Sequence, residues 1–402
     1  MTKIQTVAFD ARYVNDRYHG IGRHAYNLLD ALTRLDRDRR YLAYYDPGYK
    51  NTRFDLEALG ARPNVELRPL RLPLYSPVEQ LVWPLVLAQA RVDLFHSPYV
   101  LLPLLTSIKS IMTIHDLIFE LYPQYRTSSF LQKFYRPMTQ LGIRRGSLVL
   151  TVSEAASCDI QQFYHVDPAK IHVIGNAVDT TFQAPDASAS IAKQAEVRAR
   201  YNLPAHFIFS LGVGRPHKNV GTLIDAFARL DPALAPLLVI GGEPDARFPD
   251  DVGARIQAHN LTDRVIRTGM IREADLPIIY SLADLFVFPS LVEGFGLPPL
   301  EAMACGTPVL ASTTPAVAEA VGDAALAFDP RDSAQLASVL SRALRESDLR
   351  TWLRSSGRER IQAFTWERVA RTTLQAYTSL ETPGRKATLA PFPTPVHSSL
   401  PF

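Results

Sequence analysis

Polar side chains recur just past the short β-type runs of this chain: His96 after DLF, His115 and Asp116 after SIMTI, Ser153 and Glu154 after LVLTV, Asn176 and Asp179 after HVIG, Arg215 and Lys218 after FSLGVG, and Glu293 after DLFVFPSLV. In open parallel sheets ligands bind beyond the carboxyl ends of the strands, so residues at these places are the first candidates for chemistry. Each alone is more often a helix cap or a satisfied turn residue. Their recurrence in both halves of the chain strengthens the case for a site.

Three stretches stand out. In GVGRPHKNVGTLIDAFARL, Gly214, Arg215 and Lys218 lie in a strand-to-helix loop. Arg offers a planar fork of donors and Lys a compact charge, so the pair can clamp a diphosphate and neutralise it as a leaving group without a metal. A solvated basic loop is the alternative. In HGIGRHAYNLLDAL, Gly20, Ile21 and Gly22 form a glycine-rich turn ahead of a helix, either a phosphate-facing turn or one that only needs positive φ. Gly20, Gly22 and Ala25 with Asp46 also fit a dinucleotide fingerprint, but about ten residues separate the first strand from Gly20, where the fingerprint needs its glycines at once. In EGFGLPPLEAMACGTPV, Glu293 sits in a loop freed by Gly294, Phe295 and Gly296, and Glu301 eight positions on lies in a helix that starts about Pro298. These carboxylates suit a sugar hydroxyl and a ribose.

The elements that must position these residues are legible as alternating β-type runs and helix-patterned stretches, the arrangement of parallel sheets flanked by helices. Strands are expected at Thr6–Phe9, Tyr41–Tyr45, Val65–Pro69, Leu94–Phe95, Ser110–Ile114, Leu148–Val152 and Ile171–Ile174. A second series follows at Ile208–Gly212, Leu237–Ile240, Val265–Thr268, Leu285–Pro289, Val309–Ser312 and Ala325–Phe328. The expected units are a first α/β domain over 1–182, a linker over 183–200, a second α/β domain over 201–364, a helix over 365–381 and a Pro-rich tail over 382–402.

Composition narrows the function classes. The 402 residues are 47% hydrophobic and 21% charged with a net charge of +3, a globular balance that argues against a general polyanion binder such as a nucleic-acid protein. Two cysteines, Cys158 and Cys305, make neither a disulfide framework nor a four-ligand zinc site and fit a reducing cytoplasm. MTKIQTVAFDARYV reads as a first strand rather than a signal peptide, and no apolar run reaches the roughly 20 residues of a spanning helix. The Asp-x-Asp of the chain, Asp36 and Asp38 in RLDRDRR, reads as a solvated helix end, so no metal is expected.

With EGFGLPPLEAMACGTPV, GVGRPHKN, TIHDLIF, GIGRHAYNLL and GNAVD in this order, residues 5–380 resemble the retaining group 1 glycosyltransferases of family 4. The resemblance implies an α/β GT-B fold, two Rossmann-like doubly wound domains facing across a cleft, with the last helix crossing back onto the first domain. It implies that Glu293 bonds the donor sugar, Glu301 holds the ribose, Arg215 and Lys218 grip the diphosphate, the Gly20–Gly22 loop closes near the phosphates and His115 contacts the transferred sugar. The donor-binding set is then Gly20, Ile21, Gly22, Asp116, Gly214, Arg215, Lys218, Glu293, Gly294, Phe295, Gly296, Leu297 and Glu301, with His115, Glu293, Arg215 and Lys218 catalytic. No cofactor or metal is implied; the partners are a nucleotide-diphosphate sugar and a glycan or lipid-linked glycan acceptor. FDARYVN, GIGR, HSPYVLLP and TIHDLIF look most like the mannosyltransferases of bacterial surface polysaccharide assembly, so GDP-mannose is the first donor and a UDP-sugar the alternative. A nicotinamide-dependent oxidoreductase and a non-catalytic GT-B subunit are the rivals from other classes.

One segment lies outside these motifs. Between Glu120 and Glu154 there is no acid, while Arg126, Lys133, Arg136, Arg144 and Arg145 are interleaved with Tyr125, Phe130, Phe134 and Tyr135. Residues 125–145 are either a solvated helix with its aromatics in the core or a face for an anionic membrane, which would place the protein on the inner surface of the cell membrane.

Overall fold

Runs such as LFHS, LVLT, LVIG, LFVF and VLAS are buried at every position, as strands must be when helices cover both faces of a parallel sheet. The computed structural model describes residues 3–125, 129–184, 191–212, 214–234 and 237–381, and these form two units.

The first unit carries the strands β1 (Thr6–Asp10), β2 (Arg40–Tyr45), β3 (Val65–Pro69), β4 (Leu94–Ser97), β5 (Lys109–Ile114), β6 (Leu148–Thr151) and β7 (Ile171–Val173). All pair in parallel in the order β3-β2-β1-β4-β5-β6-β7. Its helices are α1 (His19–Leu35), α2 (Leu56–Gly60), α3 (Glu79–Ala90), α4 (Ile118–Leu121), α5 (Ser129–Arg145) and α6 (Glu154–Tyr164). The second unit carries α7 (Ile191–Tyr201), β8 (Ile208–Leu211), α8 (Val220–Phe227), β9 (Leu238–Gly241), α9 (Asp251–Ala258), β10 (Val265–Gly269), α10 (Leu276–Leu282), β11 (Leu285–Phe288), α11 (Leu297–Ala304), β12 (Val309–Ser312), α12 (Pro315–Val321), β13 (Leu326–Phe328), α13 (Ser333–Arg345) and α14 (Ser347–Ile361). Its parallel sheet runs β10-β9-β8-β11-β12-β13. In both sheets the order reverses beside the first strand, the doubly wound pattern whose crevice takes ligands.

The last helix, α15 (Trp366–Ser379), belongs to the first unit and packs on α1. Tyr377 Oη lies 2.7 Å from Nδ1 of the buried His96, the Lys109 ammonium donates to the Leu380 carbonyl at 2.6 Å, and Arg39 pairs with Glu381 at 2.9 Å. His96, a strand-end candidate in the sequence, is thus a fully buried strut between β4, Thr113 of β5 (3.1 Å) and α15.

All thirteen expected strands are present, each within two residues of its expected ends. Other expectations differ. Much of the expected linker is helix α7, whose Val197 and Tyr201 are buried and whose Arg200 and Tyr201 bond Asp275 at 2.6 and 2.9 Å, so it is a member of the second unit. That unit begins at Val178 and also takes in residues 122–125, which the sequence assigned to the first. Gly20, Ile21 and Gly22 are no loop but the first turn of α1, and Gly22 is needed there because a Cβ would meet the Tyr13 carbonyl oxygen at 2.6 Å. Asp36 is no solvated helix end: it is buried, pairs with Arg39 at 2.8 Å and accepts from the Tyr41 hydroxyl at 2.8 Å. The Pro-rich tail lies outside the described residues.

One buried cluster was invisible in the sequence. Arg12, just past β1, is 2% exposed and lies 2.7 Å from Asp10 and 2.5 Å from Glu79 of α3, donates to the Leu72 carbonyl at 2.9 Å and stacks over Trp83. Burial pulls its pKa down, but the two carboxylates outweigh that and hold it above the ordinary arginine value. Removing one partner from a buried charge set leaves the others uncompensated, at about 3–5 kcal/mol. Arg12→Ala is therefore expected to lose about 3–5 kcal/mol in denaturant unfolding, and Arg12→Met combined with Asp10→Asn and Glu79→Gln to regain most of it.

Candidate active site

In the second unit the crevice at the strand-order reversal lies between the loops after β8 and β11, and the sequence put its best candidates on those two loops. The loop after β8 ends in a short 3₁₀ turn, Pro216–Lys218, and Asn219 follows in the left-handed region. Its side chain anchors the turn by donating to the carbonyls of Pro289 (2.9 Å) and Pro330 (2.6 Å). Lys218 Nζ then meets Glu293 Oε1 at 2.7 Å, a partly exposed pair that bridges the crevice. The backbone bridges it too: Leu291 N–H donates to the His217 carbonyl at 2.8 Å. His217 is 4% exposed, and its pKa is lowered to about 4 by burial first and then by Lys218, so it is neutral at pH 7.

On the other side, Gly212 and Gly214 N–H groups bond the carbonyls of Gly241 and Glu243, strapping the β8 loop to the β9 loop. A cavity of about 360 Å³ opens there, lined by Gly212, Gly214, Arg215, Asn219, Pro244 and Asp245 among others. Arg215 Nε lies 3.5 Å from Asp245, and Arg247 lies 2.5 Å from the same carboxylate, which holds Asp245 well below the usual carboxylate range. Asp245 was not singled out from the sequence; only its place after β9 signals it.

The second carboxylate sits differently. Gly296, at φ +115° where a side chain would be strained, turns the chain into α11 behind Glu293, Gly294 and Phe295. Glu301, in the second turn, is 4% exposed and accepts from the Tyr280 hydroxyl at 3.3 Å. Glu293 is thus joined to Lys218, and Glu301 to the buried Tyr280.

In the first unit, the half-buried His115 follows β5 with its Nε2 at 3.0 Å from the Pro98 carbonyl. Its ring meets the buried His24 of α1 edge-on at 4.6 Å, and His24 meets Trp366 at 5.6 Å. Burial lowers the pKa of His115 to about 4 and of His24 well below the ordinary value. Asp116 accepts from the Ile118 N–H at 3.1 Å, at the start of α4. Asn176 Oδ1 lies 3.4 Å from His24 Nδ1, so these two strand-end residues and α1 share one edge of the sheet. Asp46 instead closes its own turn onto Gly48 N–H at 2.8 Å, and β1 stops at Asp10, well short of α1, so the dinucleotide fingerprint has no geometry here.

Five tyrosines share that edge; the sequence missed four of them and read the fifth, Tyr135, as part of the basic aromatic segment. Tyr13 after β1, Tyr18 before α1, Tyr75 after β3, Tyr99 after β4 and Tyr135 on α5 meet ring to ring at 5.1–6.5 Å. The Tyr135 hydroxyl donates to the Tyr75 carbonyl, and Tyr125 is buried, so these two aromatics of the 125–145 segment turn inward. Arg126 and the side chains of Phe130, Lys133 and Phe134 lie outside the described residues.

Two doubly wound sheets with this site define a GT-B glycosyltransferase architecture. The Glycosyl transferases group 1 model matches residues 193–360 and the Glycosyltransferase Family 4 model residues 18–182; the chain belongs to the group 1 glycosyltransferases. It is 30% identical over 288 residues to the serotype-specific mannosyltransferase WbdA of Escherichia coli, covering 68% of this chain and 34% of that protein. It is 28% identical over 315 residues to O-antigen chain mannosyltransferase B of the same species, covering 76% and 81%. The chain thus spans about a third of the length of the first of these relatives. Among solved structures, Anabaena Alr3699/HepE in complex with UDP and glucose superposes with a TM-score of 0.69 at 20% identity, over 94% of this chain and 100% of that one.

Neutral histidines, His96 and His217 buried and His115 half-buried, make stability depend on pH. The unfolded chain takes up a proton near pH 6.5, whereas His115 and His217 resist it to about 4 and His96 to about 3. Folding stability is therefore full above about pH 6.5 and declines as the pH falls toward 4, with each fully buried histidine contributing a slope of up to about 1.4 kcal/mol per pH unit. Urea unfolding at pH 7, 6 and 5 should show the decline, and His96→Gln should flatten it.

Proposed function

We propose that this chain is a retaining, metal-independent mannosyltransferase that takes mannose from GDP-mannose and adds it to a growing surface glycan or glycolipid. The observation that carries the reading is the Lys218–Glu293 pair across the strand-order reversal, with Arg215 on the same loop. The second unit would hold the donor: Arg215 and Lys218 on the diphosphate, Glu293 on the sugar hydroxyls, Gly214 and Gly294–Leu297 along the backbone, and Glu301 on the ribose. Likeness to a serotype-specific mannosyltransferase and to an O-antigen chain mannosyltransferase supports mannose; the UDP and glucose bound by Alr3699/HepE keep a UDP-sugar as the second reading.

The chemistry follows from these groups. The bond from the anomeric carbon to the diphosphate oxygen breaks, its electron pair leaving with the nucleoside diphosphate, whose charge Arg215 and Lys218 stabilise. The acceptor hydroxyl attacks the same face of the sugar, and its proton passes to the departing phosphate oxygen. Glu293 positions the sugar and forms no bond to it. The family resemblance gives His115, neutral at working pH, a hydroxyl of the transferred sugar to bond, and gives Asp116 and the Gly20–Gly22 turn a share in donor binding. Tyr18, Tyr75 and Tyr99 offer ring faces and hydroxyls to the acceptor glycan. A lipid-linked acceptor would place the enzyme on the inner face of the cell membrane.

Thermal-shift measurements against GDP, UDP, ADP, dTDP and NADH with their sugar conjugates test the donor, since a ligand of the folded state raises its melting temperature. The expected result is a rise selective for GDP and GDP-mannose and indifferent to EDTA. A UDP-selective rise would replace the donor, and a response to NADH alone would sink the reading. In a transfer assay, Glu293→Gln and Lys218→Ala should each lower kcat by about 100-fold or more. A sugar trapped covalently on Glu293 would overturn its positioning role.

A further inference from the structure

Helix α3 buries Glu79, Trp83 and Leu87 against the first unit's core, yet its outer face is also apolar. Val78, Leu81 and Leu85 are 49%, 63% and 65% exposed, and Ala88 continues the stripe one turn on. A surface helix normally turns charged or polar residues outward, and contiguous exposed leucines mark an interaction face. The patch extends beyond α3. Gln80 donates to the Leu102 carbonyl at 3.1 Å and accepts from Leu104 N–H at 2.8 Å, which sets Leu105, 61% exposed, beside the helix. Arg145 of α5 donates to the Leu104 carbonyl, bringing in Leu141, 37% exposed.

The charges around this patch have one sign. Residues 78–91, 98–110 and 129–145 contain a single acid, Glu79, which is buried against Arg12. The same segments hold Arg91, Lys109, Lys133, Arg136, Arg144 and Arg145. Arg91, Arg136, Arg144 and Arg145 are exposed. We propose that the Val78–Leu81–Leu85–Ala88 stripe with Leu105 is where the first unit lies on an anionic lipid bilayer, the leucines entering the boundary between headgroups and acyl chains and the arginines meeting lipid phosphates. A second copy fits less well, because a two-fold interface sets the same patch against itself and would bring these cations together with no acid to meet them. The surface differs from the aromatic face expected over 125–145, since Tyr125 and Tyr135 turn inward, and it does not depend on the donor or the reaction.

The test is co-sedimentation of the full chain with phosphatidylglycerol–phosphatidylcholine vesicles and with phosphatidylcholine vesicles alone. The wild type should sediment with the anionic vesicles and be released by salt. Leu81→Gln/Leu85→Gln should bind about 10-fold less, and Arg91→Glu/Arg144→Glu should lose the preference for anionic lipid. All these substitutions are at exposed positions, so the melting temperature and its shift with nucleotide report folding and the donor reading separately. Equal vesicle binding by the leucine variant, or no binding by the wild type, would overturn the proposal. So would a concentration-dependent dimer in light scattering that the leucine variant abolishes.

Discussion

The constraint on which the rest depends is the handedness of the connections between parallel strands. A crossover from one parallel strand to the next is right-handed, so a sheet covered on both faces must reverse its strand order once, and at that point two neighbouring loops leave in opposite directions. In the second unit those loops follow β8 and β11. The register between β8 and β11 runs through Phe209 and Phe286, short of these loops. The chain supplies the connection with side chains and one backbone bond: Lys218 to Glu293, Asn219 to the Pro289 carbonyl and Leu291 N–H to the His217 carbonyl. The groups that would bind a diphosphate sugar are also the groups that close the crevice, so the site is shaped before a ligand arrives.

The first unit meets the same reversal, beside β1 and β4, with a different solution. A buried arginine with two carboxylates fixes the chain past β1, and tyrosines fill the space above it. Further along the edge, His24 and His115 pack ring against ring. Burial keeps both uncharged at neutral pH, which suits hydrogen bonding to hydroxyls better than binding of phosphate. The two sheets share a topology, and their edges differ in chemistry: cations and carboxylates in one, neutral imidazoles and phenols in the other.

How far this was legible depends on whether the deciding partners lie close in sequence. The strands were, because each is an apolar run bounded by turn residues, and the Glu293 and Arg215–Lys218 loops were, because each is a short local pattern of charge and glycine. Arg12, Asp10 and Glu79 were not, since Glu79 is 67 positions from Arg12 and nothing local marks the pair. The tyrosine edge gathers three loops and a helix and has no linear signature. Gly20 and Gly22 misled because glycine reads as a turn, whereas Gly22 serves helix α1 by letting it pass the Tyr13 carbonyl. Residues 183–200 were taken for a linker because they open with Ala, Pro, Asp and Ser before turning helical, and the hold of α7 on the second unit through Asp275 is again distant in sequence.

Exposure separates the ion pairs that can exchange partners from those that cannot. Lys218 and Glu293 have side chains 21% and 12% exposed, and Arg215 is 37% exposed beside Asp245. Their carboxylate partners are mostly buried, Asp245 at 8%, but the cations themselves keep contact with water, which screens these pairs in part. The Arg12 side chain is 1% exposed between carboxylates at 4% and 7%, where losing a partner would strand a charge away from water. The chemically similar clusters past β1 and β8 therefore differ in their surroundings: the buried one fixes the backbone, and the other keeps the Lys218 and Arg215 side chains within reach of solvent.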